Sequence, residues 1–130
     1  YVIYGEGSAL TIISYGNGLY LSLKAQPEIE KQLKKKIKII DLCWLSDINI
    51  DQLLIDIEPS KKILIVEECR RSGSYGEGLM SSIYLKSKNN MSIKLHAAED
   101  SFIPLGGAAT STLPSQQSII SHALGLYKNE

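Results

Sequence analysis

Short apolar runs alternate with segments of helical periodicity along the whole chain. The β-branched run Leu10–Ser14 predicts a buried strand, and the two closely spaced glycines after it predict the turn that ends it. Between positions 19 and 35 apolar residues return every three or four positions, and lysines and glutamates occupy the opposite face, which predicts a helix. Because Pro27 lies inside that helix, we expect a kink or two helical pieces that meet near Gln26.

The same alternation continues to the end of the chain. Further strands are predicted over 37–42, 62–66 and 93–97, and further helices from the cap Asn49 to Pro59, from the glycine-rich segment at 73–78 to a turn at Asn89-Asn90, and from the cap Ser115 to Tyr127. Gln52, three residues after Asn49, completes a capping-box pattern. A loop punctuated by proline and glycine is predicted from Asp100 to Pro114. The pattern therefore predicts an α/β fold in which an open, mainly parallel sheet lies between two layers of helices.

Length and composition limit the chain to one domain. With 130 residues, of which 44% are hydrophobic, it can bury one core but is too short for two. We therefore interpret residues 1–130 as a single domain. Because the sequence begins with Tyr1 and not with methionine, we interpret it as a piece of a longer protein.

Charge and cysteine content exclude several classes of protein. Fourteen basic residues balance fourteen acidic ones, so we expect no nucleic-acid partner. A balanced total still allows local charged patches. The apolar runs are far shorter than the roughly 20 residues that span a bilayer, so we expect a soluble chain with no membrane partner. Cys43 and Cys69 form no CxxC pair and have no zinc-ligand spacing. Reduced thiols favour a cytoplasmic location, or the mitochondrial matrix in a eukaryote.

The first predicted turn contains part of a dinucleotide-binding pattern. Gly16 and Gly18 follow a strand, and Asp41 ends the next strand, where a ribose-binding acid would stand. Leu21 occupies the place of the third glycine, so the pattern is incomplete. We interpret the two glycines as residues that permit a tight turn into a helix.

A second glycine-rich turn, Gly73–Gly78, follows two arginines and leads into a predicted helix. Because the N–H groups at a helix N-terminus bind anions, Arg70, Arg71 and Gly76 are candidates for an anion site. The spacing differs from that of a Walker loop and lacks its Lys-Ser/Thr ending. A packed turn with solvated arginines explains the same residues, and the pattern leaves both interpretations open.

The remaining titratable side chains do not assemble an active site. Glu67 and Glu68 are adjacent strand residues that point to opposite faces, so they cannot act as a catalytic pair, and we expect one of them to pair with an arginine. His96 and His122 are well separated in sequence, and neither has a nucleophile or metal ligand at a spacing that would indicate a catalytic or metal site. We therefore predict no catalytic, metal-binding or cofactor-binding residue.

Three stretches of the chain together resemble one family: Thr11–Gly16 (TIISYG), Ile39–Leu45 (IIDLCWL) and Ile65–Gly76 (IVEECRRSGSYG). They are similar to the C-terminal domain of transketolase-like, thiamine-diphosphate-dependent enzymes. Within that group the chain most resembles the beta part of the decarboxylating component of 2-oxo-acid dehydrogenase complexes. The family's later pattern of Asp, two residues, Ile-Pro and a final Leu-Pro is matched by Asp100–Leu105 and Leu113-Pro114. The resemblance covers nearly the whole chain.

The resemblance implies an open sheet of about five strands, one of them antiparallel. It also implies that thiamine diphosphate and magnesium belong to the parent enzyme and lie between two other domains, whose diphosphate loop begins Gly-Asp-Gly. This chain contains no Gly-Asp-Gly, so none of these cofactors is expected to bind to it. The chain would then be the noncatalytic third domain of an enzyme that decarboxylates pyruvate or a branched-chain 2-oxo acid and passes the acyl group to a lipoyl arm.

The chain departs from the family pattern in three places. Cys43 follows Asp-Leu where the family often has Arg, Asp47 stands where the following turn usually has Pro, and Pro27 interrupts a helix that is normally unbroken. These differences bear on that helix and that loop, and on any partner contact of the missing arginine.

Implied partners are the other domains or subunits of the same dehydrogenase component, a homodimeric contact and the lipoyl acyltransferase core. An exposed aromatic residue beside an acid in a long loop suits docking to a basic partner. The first interface candidates are therefore Asp100, Phe102 and Pro104, and the second candidates are Glu68, Arg71 and Tyr75.

Two alternatives stay open. The parent could be a transketolase or a deoxyxylulose-phosphate synthase type of enzyme, although the Glu-Glu-x-Arg-Arg-Ser-Gly run favours the dehydrogenase. A stand-alone α/β module that binds a regulatory anion at the Arg70 and Arg71 turn is an alternative from a different class.

Overall fold

Strands and helices alternate in the computed structural model, which describes residues 1–88 and 90–128. In chain order the elements are β1 (Val2–Tyr4), β2 (Thr11–Ser14), α1 (Gly16–Leu33), β3 (Lys38–Asp41), α2 (Ile50–Ile57), β4 (Lys62–Arg70), α3 (Tyr75–Lys86), β5 (Ser92–Ala98), a short 3-10 helix (Gly106–Ser111) and α4 (Gln116–Lys128). Asn89 of the predicted turn lies outside the described residues.

The five strands form one sheet in the order β1-β3-β2-β4-β5. Strand β1 runs antiparallel to β3, and the other neighbouring pairs are parallel. The predicted α/β fold with one antiparallel strand is therefore confirmed. The apolar pattern did not predict β1, because it has only three residues, all of them exposed, at the edge of the sheet.

Helices cover both faces of the sheet, which gives the three layers that the pattern predicts. Ile12 packs in one buried cluster with α1 and α4, whereas Ile13 packs in a second cluster with α2 and α3. Both side chains are fully buried. A strand covered on both faces has no polar side, which explains why β2 reads as a continuous apolar run and not as an alternating one.

Helix α1 differs from its prediction at two points. It begins at Gly16 and not at position 19, so the two glycines form its first turn. It also continues through Pro27 as one element, so the prediction of two helical pieces is wrong. The proline is on the exposed side, whereas Ala25 and Ile29 are fully buried. Packing of the buried face holds the helix together, and water can satisfy the backbone carbonyl that lacks its partner.

The predicted caps of two helices are confirmed. The side chain of Asn49 accepts a hydrogen bond from the N–H of Gln52 at 3.1 Å, although Gln52 turns its own amide toward Asp56. At the start of α4, Ser115 accepts from the N–H of Ser118 at 3.1 Å. Each such cap contributes about 1 kcal/mol by satisfying a backbone donor that the helix leaves free.

Strand β4 is longer than the predicted strand over 62–66 and extends to Arg70. Its pairing with β5 is irregular between Val66 and Arg70. The extension brings Glu67 and Glu68 to the carboxyl edge of the sheet, where the loops that start α1 and α3 also lie. The candidate site residues predicted from the sequence therefore lie at this edge.

Candidate functional site

The order of the strands reverses between β2 and β4, and open α/β sheets bind ligands at the carboxyl edge of such a point. Five residues meet there, and we call them the carboxyl-edge cluster: Tyr15, Asn17, Glu67, Glu68 and Gly76. Tyr15 is the N-cap of α1 and Asn17 is in its first turn, the glutamates are in the last part of β4, and Gly76 is in the first turn of α3. The cluster thus joins three elements.

Glu67 is the centre of this cluster. Its side chain is fully buried, and Oε2 accepts hydrogen bonds from the Tyr15 hydroxyl at 2.8 Å and from the Gly76 N–H at 3.0 Å. The other oxygen, Oε1, has no hydrogen-bond partner among the residues that the structure describes. A Cβ atom added to Gly76 would lie 2.7 Å from Oε1 and 2.8 Å from a methyl group of Leu95. Only glycine therefore allows α3 to approach the buried carboxyl group this closely.

Tyr15, which bonds to the buried carboxyl group, packs against a second tyrosine. The rings of Tyr15 and Tyr75 meet edge to face, with their centroids 6.0 Å apart. Burial, reinforced by the hydrogen bond to Glu67, raises the pKa of Tyr15 well above its usual range, and burial also raises the pKa of Tyr75. The Tyr15 phenol therefore stays protonated at neutral pH and acts as a donor to Glu67.

Further hydrogen bonds close the crevice between β2 and β4. The Asn17 side chain donates to Glu68 at 2.7 Å, and the Ser14 hydroxyl donates to the carbonyl of Val66 at 2.8 Å. A Cβ atom at Gly18 would lie 2.6 Å from the Ser14 hydroxyl oxygen, so α1 is packed tightly against this edge. The chain's own side chains therefore occupy the position where a doubly wound fold commonly holds a ligand.

The first glycine pair serves the turn and the packing of α1, as the sequence interpretation expects. Gly16 has a φ of +57°, which disfavours residues with a Cβ atom, and Gly18 allows the close approach to Ser14. Asp41, the candidate ribose-binding acid, accepts a hydrogen bond from the N–H of Cys43 at 3.1 Å. Its carboxylate stabilises the turn after β3.

The expected pairing of Glu67 or Glu68 with an arginine is wrong for the part of the chain that the structure describes. The salt bridges found there join lysines to acids, and both glutamates bond to uncharged groups. Because β4 continues to Arg70, the two arginines extend into solvent beyond the buried part of the strand.

The candidate anion site has few free donors at the start of α3. The Gly76 N–H donates to Glu67, the Ser74 hydroxyl accepts from the Glu77 N–H at 3.2 Å, and the Gly73 N–H donates to the Glu77 carboxylate at 2.8 Å. The chain's own side chains therefore satisfy this helix N-terminus. An anion site here stays a prediction that depends on the exposed guanidinium groups of Arg70 and Arg71.

The first set of interface candidates lies in the loop after β5. Both carboxylate oxygens of Asp100 accept from Ser72, one from its N–H at 2.9 Å and one from its hydroxyl at 2.5 Å. These hydrogen bonds lower the pKa of Asp100 and tie the loop after β5 to the loop after β4. Phe102 is 99% exposed and Pro104 is half-buried. The structure thus brings Asp100 and Phe102 together with Arg70 around one hollow of about 300 Å³.

The second set is less compact. Glu68 contacts Asn17, Tyr75 contacts Tyr15, and no hydrogen bond, ion pair or ring contact among the described residues joins either of them to Arg71. The Arg71 side chain instead lines a separate hollow of about 340 Å³. Both sets stay predictions, although each lies at the carboxyl edge of the sheet.

The hollow beside Arg71 contains a histidine pair that the sequence did not reveal. The ring centroids of His96 on β5 and His122 on α4 are 4.0 Å apart. His96 Nε2 is 2.8 Å from the Ser118 hydroxyl, and His122 Nδ1 is 2.9 Å from the Ser118 carbonyl. Burial, together with the nearby His122 and Lys94, lowers the pKa of His96 to about 4. Only the packing of α4 against β5 brings these two residues together.

Other residues of the site could have been found from the sequence. Tyr15 and Asn17 follow the first predicted strand directly, and Glu67 ends the third. Because the carboxyl ends of parallel strands meet at one edge, their proximity follows from the predicted topology. No sequence pattern predicted the histidine pair, because local patterns do not determine where the last helix packs on the sheet.

Comparison with known proteins identifies the family. The model of the family described as "Transketolase, C-terminal domain" matches residues 2–106. The chain belongs to the transketolase C-terminal domain family. Its relatives include the pyruvate dehydrogenase E1 component subunit beta of Staphylococcus epidermidis, which is 30% identical over 120 residues, and that of Staphylococcus aureus, which is 27% identical over 120 residues. Each comparison covers 91% of this chain and 37% of the relative, so the chain spans little more than a third of the relatives' length.

A solved structure confirms the fold of this transketolase C-terminal domain. The protein described as "Split gene transketolase, inactive beta4 tetramer" superposes with a TM-score of 0.80 and covers 95% of this chain and 40% of that chain. At 15% identity the similarity concerns the fold alone. The family and the architecture that the sequence motifs implied are thus both confirmed.

The parent enzymes of this family depend on thiamine diphosphate. The described residues of this domain contain no group of three or more His, Cys, Asp or Glu side chains placed to hold a metal ion. Hydrogen bonds between side chains close the crevice at the carboxyl edge.

Within residues 1–88 and 90–128, no helix is both long and apolar enough to cross a bilayer.

The contact between Glu67 and α3 predicts opposite effects for two neighbouring glycines. Gly76→Ala should lower the free energy of unfolding by about 1–3 kcal/mol, because the new methyl group meets buried atoms. Gly78→Ala, for which the added Cβ has nothing within 4 Å, should raise it by about 0.5–1 kcal/mol through helix propensity. Urea unfolding followed by circular dichroism measures both. Equal stability of the two variants would contradict the assigned contact.

The histidine pair predicts a loss of stability in acid. Because burial lowers the pKa of His96 in the folded state, the unfolded chain binds a proton at pH values where the folded chain does not. The free energy of unfolding should therefore fall by about 1 kcal/mol between pH 7 and pH 5, after allowance for partial exposure, and this loss should level off below the folded pKa.

His96→Gln tests the assignment, because glutamine can keep the hydrogen bond to Ser118 but does not titrate. In this variant most of the acid-dependent loss should disappear, and His122→Gln should reduce it by a smaller amount. Chemical unfolding at several pH values measures the slope. A slope unchanged in His96→Gln would show that other groups cause the loss.

Proposed function

We propose that this chain is a noncatalytic assembly domain of a thiamine-diphosphate-dependent 2-oxo-acid dehydrogenase. The parent enzyme would decarboxylate pyruvate or a branched-chain 2-oxo acid and transfer the acyl group to a lipoyl arm. The observation that carries the proposal is the 30% identity to a pyruvate dehydrogenase E1 subunit beta over 91% of this chain. In this proposal other domains hold thiamine diphosphate and magnesium, and this chain supplies no ligand to them.

The carboxyl edge supports a structural role for this domain. Its most buried acid, Glu67, is bonded to Tyr15 and Gly76, and Glu68 is bonded to Asn17. These groups stabilise the starts of α1 and α3. A catalytic or cofactor-binding residue would need a face open to its substrate, and these hydrogen bonds use that face for contacts within the fold.

The loop after β5 supports a docking role. Phe102 is 99% exposed, Leu105 is 96% exposed and Ile103 is 54% exposed, so three large apolar residues that are close in sequence face solvent in this loop. Contiguous exposed apolar groups mark protein interfaces, and aromatic residues contribute most to their affinity. Since Ser72 holds both oxygens of Asp100, we assign Asp100 to fixing this loop and Phe102 to anchoring the partner.

We propose the lipoyl acyltransferase core as that partner, with other subunits of the same dehydrogenase component, including a second copy, on the remaining surface. Both cysteines of the described chain are free and exposed, which suits a reducing compartment. We therefore place the enzyme in the cytoplasm, or in the mitochondrial matrix of a eukaryote.

Phe102→Ala should weaken binding to the acyltransferase core of the same organism by about tenfold or more, because it removes a central apolar anchor. The matched control is Leu85→Ala, which truncates a 75% exposed side chain on α3. The control should bind within about twofold of the unaltered chain. Surface plasmon resonance with the immobilised core measures both affinities.

Neither variant should change stability by more than about 0.5 kcal/mol, since both side chains are exposed. Equal binding by the Phe102 variant and the unaltered chain would remove this loop from the interface. Binding that is absent for all three proteins would argue against the dehydrogenase as the parent, and would leave the transketolase or deoxyxylulose-phosphate synthase type.

A further inference from the structure

The edge of the sheet opposite the carboxyl edge contains a cavity that the proposed function does not use. The first residues of the parallel strands and the last residues of α1 and α4 meet at this amino edge, because parallel connections return every helix to it. The cavity has a volume of about 600 Å³ and is lined by four separate chain segments. They are the loop that contains Glu6 and Gly7, the turn Lys35-Lys36, the start of β4 and Tyr127 of α4. We call it the basic cavity.

The walls of the basic cavity are fixed by close packing. Gly7 is buried, and a Cβ atom added to it would lie 2.0 Å from the carbonyl carbon of Lys36. The N–H of Ala9 donates to the Lys36 carbonyl at 3.3 Å. Behind this loop the hydroxyl groups of Thr11 and Ser60 are 2.6 Å apart and buried. Close packing of the backbone therefore shapes this wall of the cavity, and a ligand would need little rearrangement of the loop to bind.

Two lysine ammonium groups contact Tyr127 at this cavity. Lys62 Nζ donates to the Tyr127 carbonyl at 2.6 Å and lies 4.7 Å from the centre of its ring. Lys35 Nζ lies 5.5 Å from the same ring centre. Cation–π contacts of this length hold an ammonium group near the ring. Both ammonium groups thus lie near the Tyr127 ring, which lines the cavity.

Helix ends account for part of this lysine cluster. A helix C-terminus has a partial negative charge of about half an elementary charge, and one lysine offsets it. Lys62 does so for α4 through the Tyr127 carbonyl. Lys36 bonds to Glu30 at 2.6 Å, and its side chain is 79% exposed. Glu6 is the one acid among the described lining residues, against three lysines.

We propose that the basic cavity binds a small multivalent anion of the phosphate class, such as a phosphate ester or pyrophosphate. Its volume is in the range of about 300–1,000 Å³ that small-molecule sites occupy, and ammonium groups from separate segments converge on it. The chain has no net charge, so it lacks the extended positive field that recruits a nucleic acid. This site is remote from the loop after β5, and the proposal does not depend on the docking role.

The test is a titration of the isotopically labelled 130-residue chain with inorganic pyrophosphate, followed by amide chemical shifts at low salt. Saturable shifts are expected at Gly7, Ser8, Lys36 and Lys62, with a dissociation constant below about 1 mM. Raising the salt to about 0.5 M should weaken binding at least tenfold, because the interaction is electrostatic.

Two variants separate the cavity from general charge. The double variant Lys35→Gln with Lys36→Gln should bind pyrophosphate at least about tenfold more weakly, since it removes two of the three ammonium groups. The matched control Lys86→Gln removes an exposed lysine that pairs with Asp51 on another face, and should bind within about twofold of the unaltered chain. If the double variant does not give a folded spectrum, Lys36→Gln alone carries the test, with a loss of at least about threefold expected.

Three results of the pyrophosphate titrations would overturn the proposal. One is the absence of saturable shifts, and another is equal weakening by Lys86→Gln. Shifts confined to Ser72–Gly76 would also overturn it and would place the anion at the Arg70 and Arg71 turn. A further comparison uses polyglutamate and a short oligonucleotide, and binding of either one without binding of pyrophosphate would show a surface for a macromolecule and refute a small-ligand site.

Discussion

The buried carboxyl group of Glu67 joins three elements that the rest of the domain is built around. It lies in the last part of strand β4 and accepts hydrogen bonds from Tyr15, just before α1, and from Gly76, in the first turn of α3. These two helices cover opposite faces of the sheet. Removing one partner of a buried polar group costs about 1–3 kcal/mol, so the positions of both helices depend on this one side chain. Position 76 must be glycine for the same reason, because an added Cβ atom would lie 2.7 Å from Glu67 Oε1.

The two edges of the sheet differ in structure. At the carboxyl edge, side-chain hydrogen bonds use the groups that a ligand would need, and the docking role that we propose lies in the exposed loop after β5. At the amino edge, helix C-termini attract lysines, and the tight packing of Gly7 against Lys36 leaves a cavity between them. The carboxyl edge, where such folds commonly bind ligands, is thus closed by side-chain hydrogen bonds, whereas the amino edge contains a cavity.

This arrangement suits membership of the transketolase C-terminal domain family. Relatives that are 30% and 27% identical are beta subunits of pyruvate dehydrogenase E1 components, and this chain matches little more than a third of their length. The role that we propose for the domain is to contribute docking surfaces. The surface proposed here contains Phe102 and its apolar neighbours, on a loop that Asp100 and Ser72 hold in place.

The order of apolar runs and helical segments in the sequence was sufficient to predict the α/β class, four of the five strands, the four helices and the caps Asn49 and Ser115, because these depend on residues close together in the chain. The motifs around Thr11, Asp41 and Glu67 also identified the family. Long-range packing decided the rest. The edge strand β1 forms only because β3 offers it a partner, α1 remains whole at Pro27 because its buried face is packed, and His96 meets His122 because α4 lies on β5. Each of these depends on free energy gained between distant segments, which local sequence patterns do not contain.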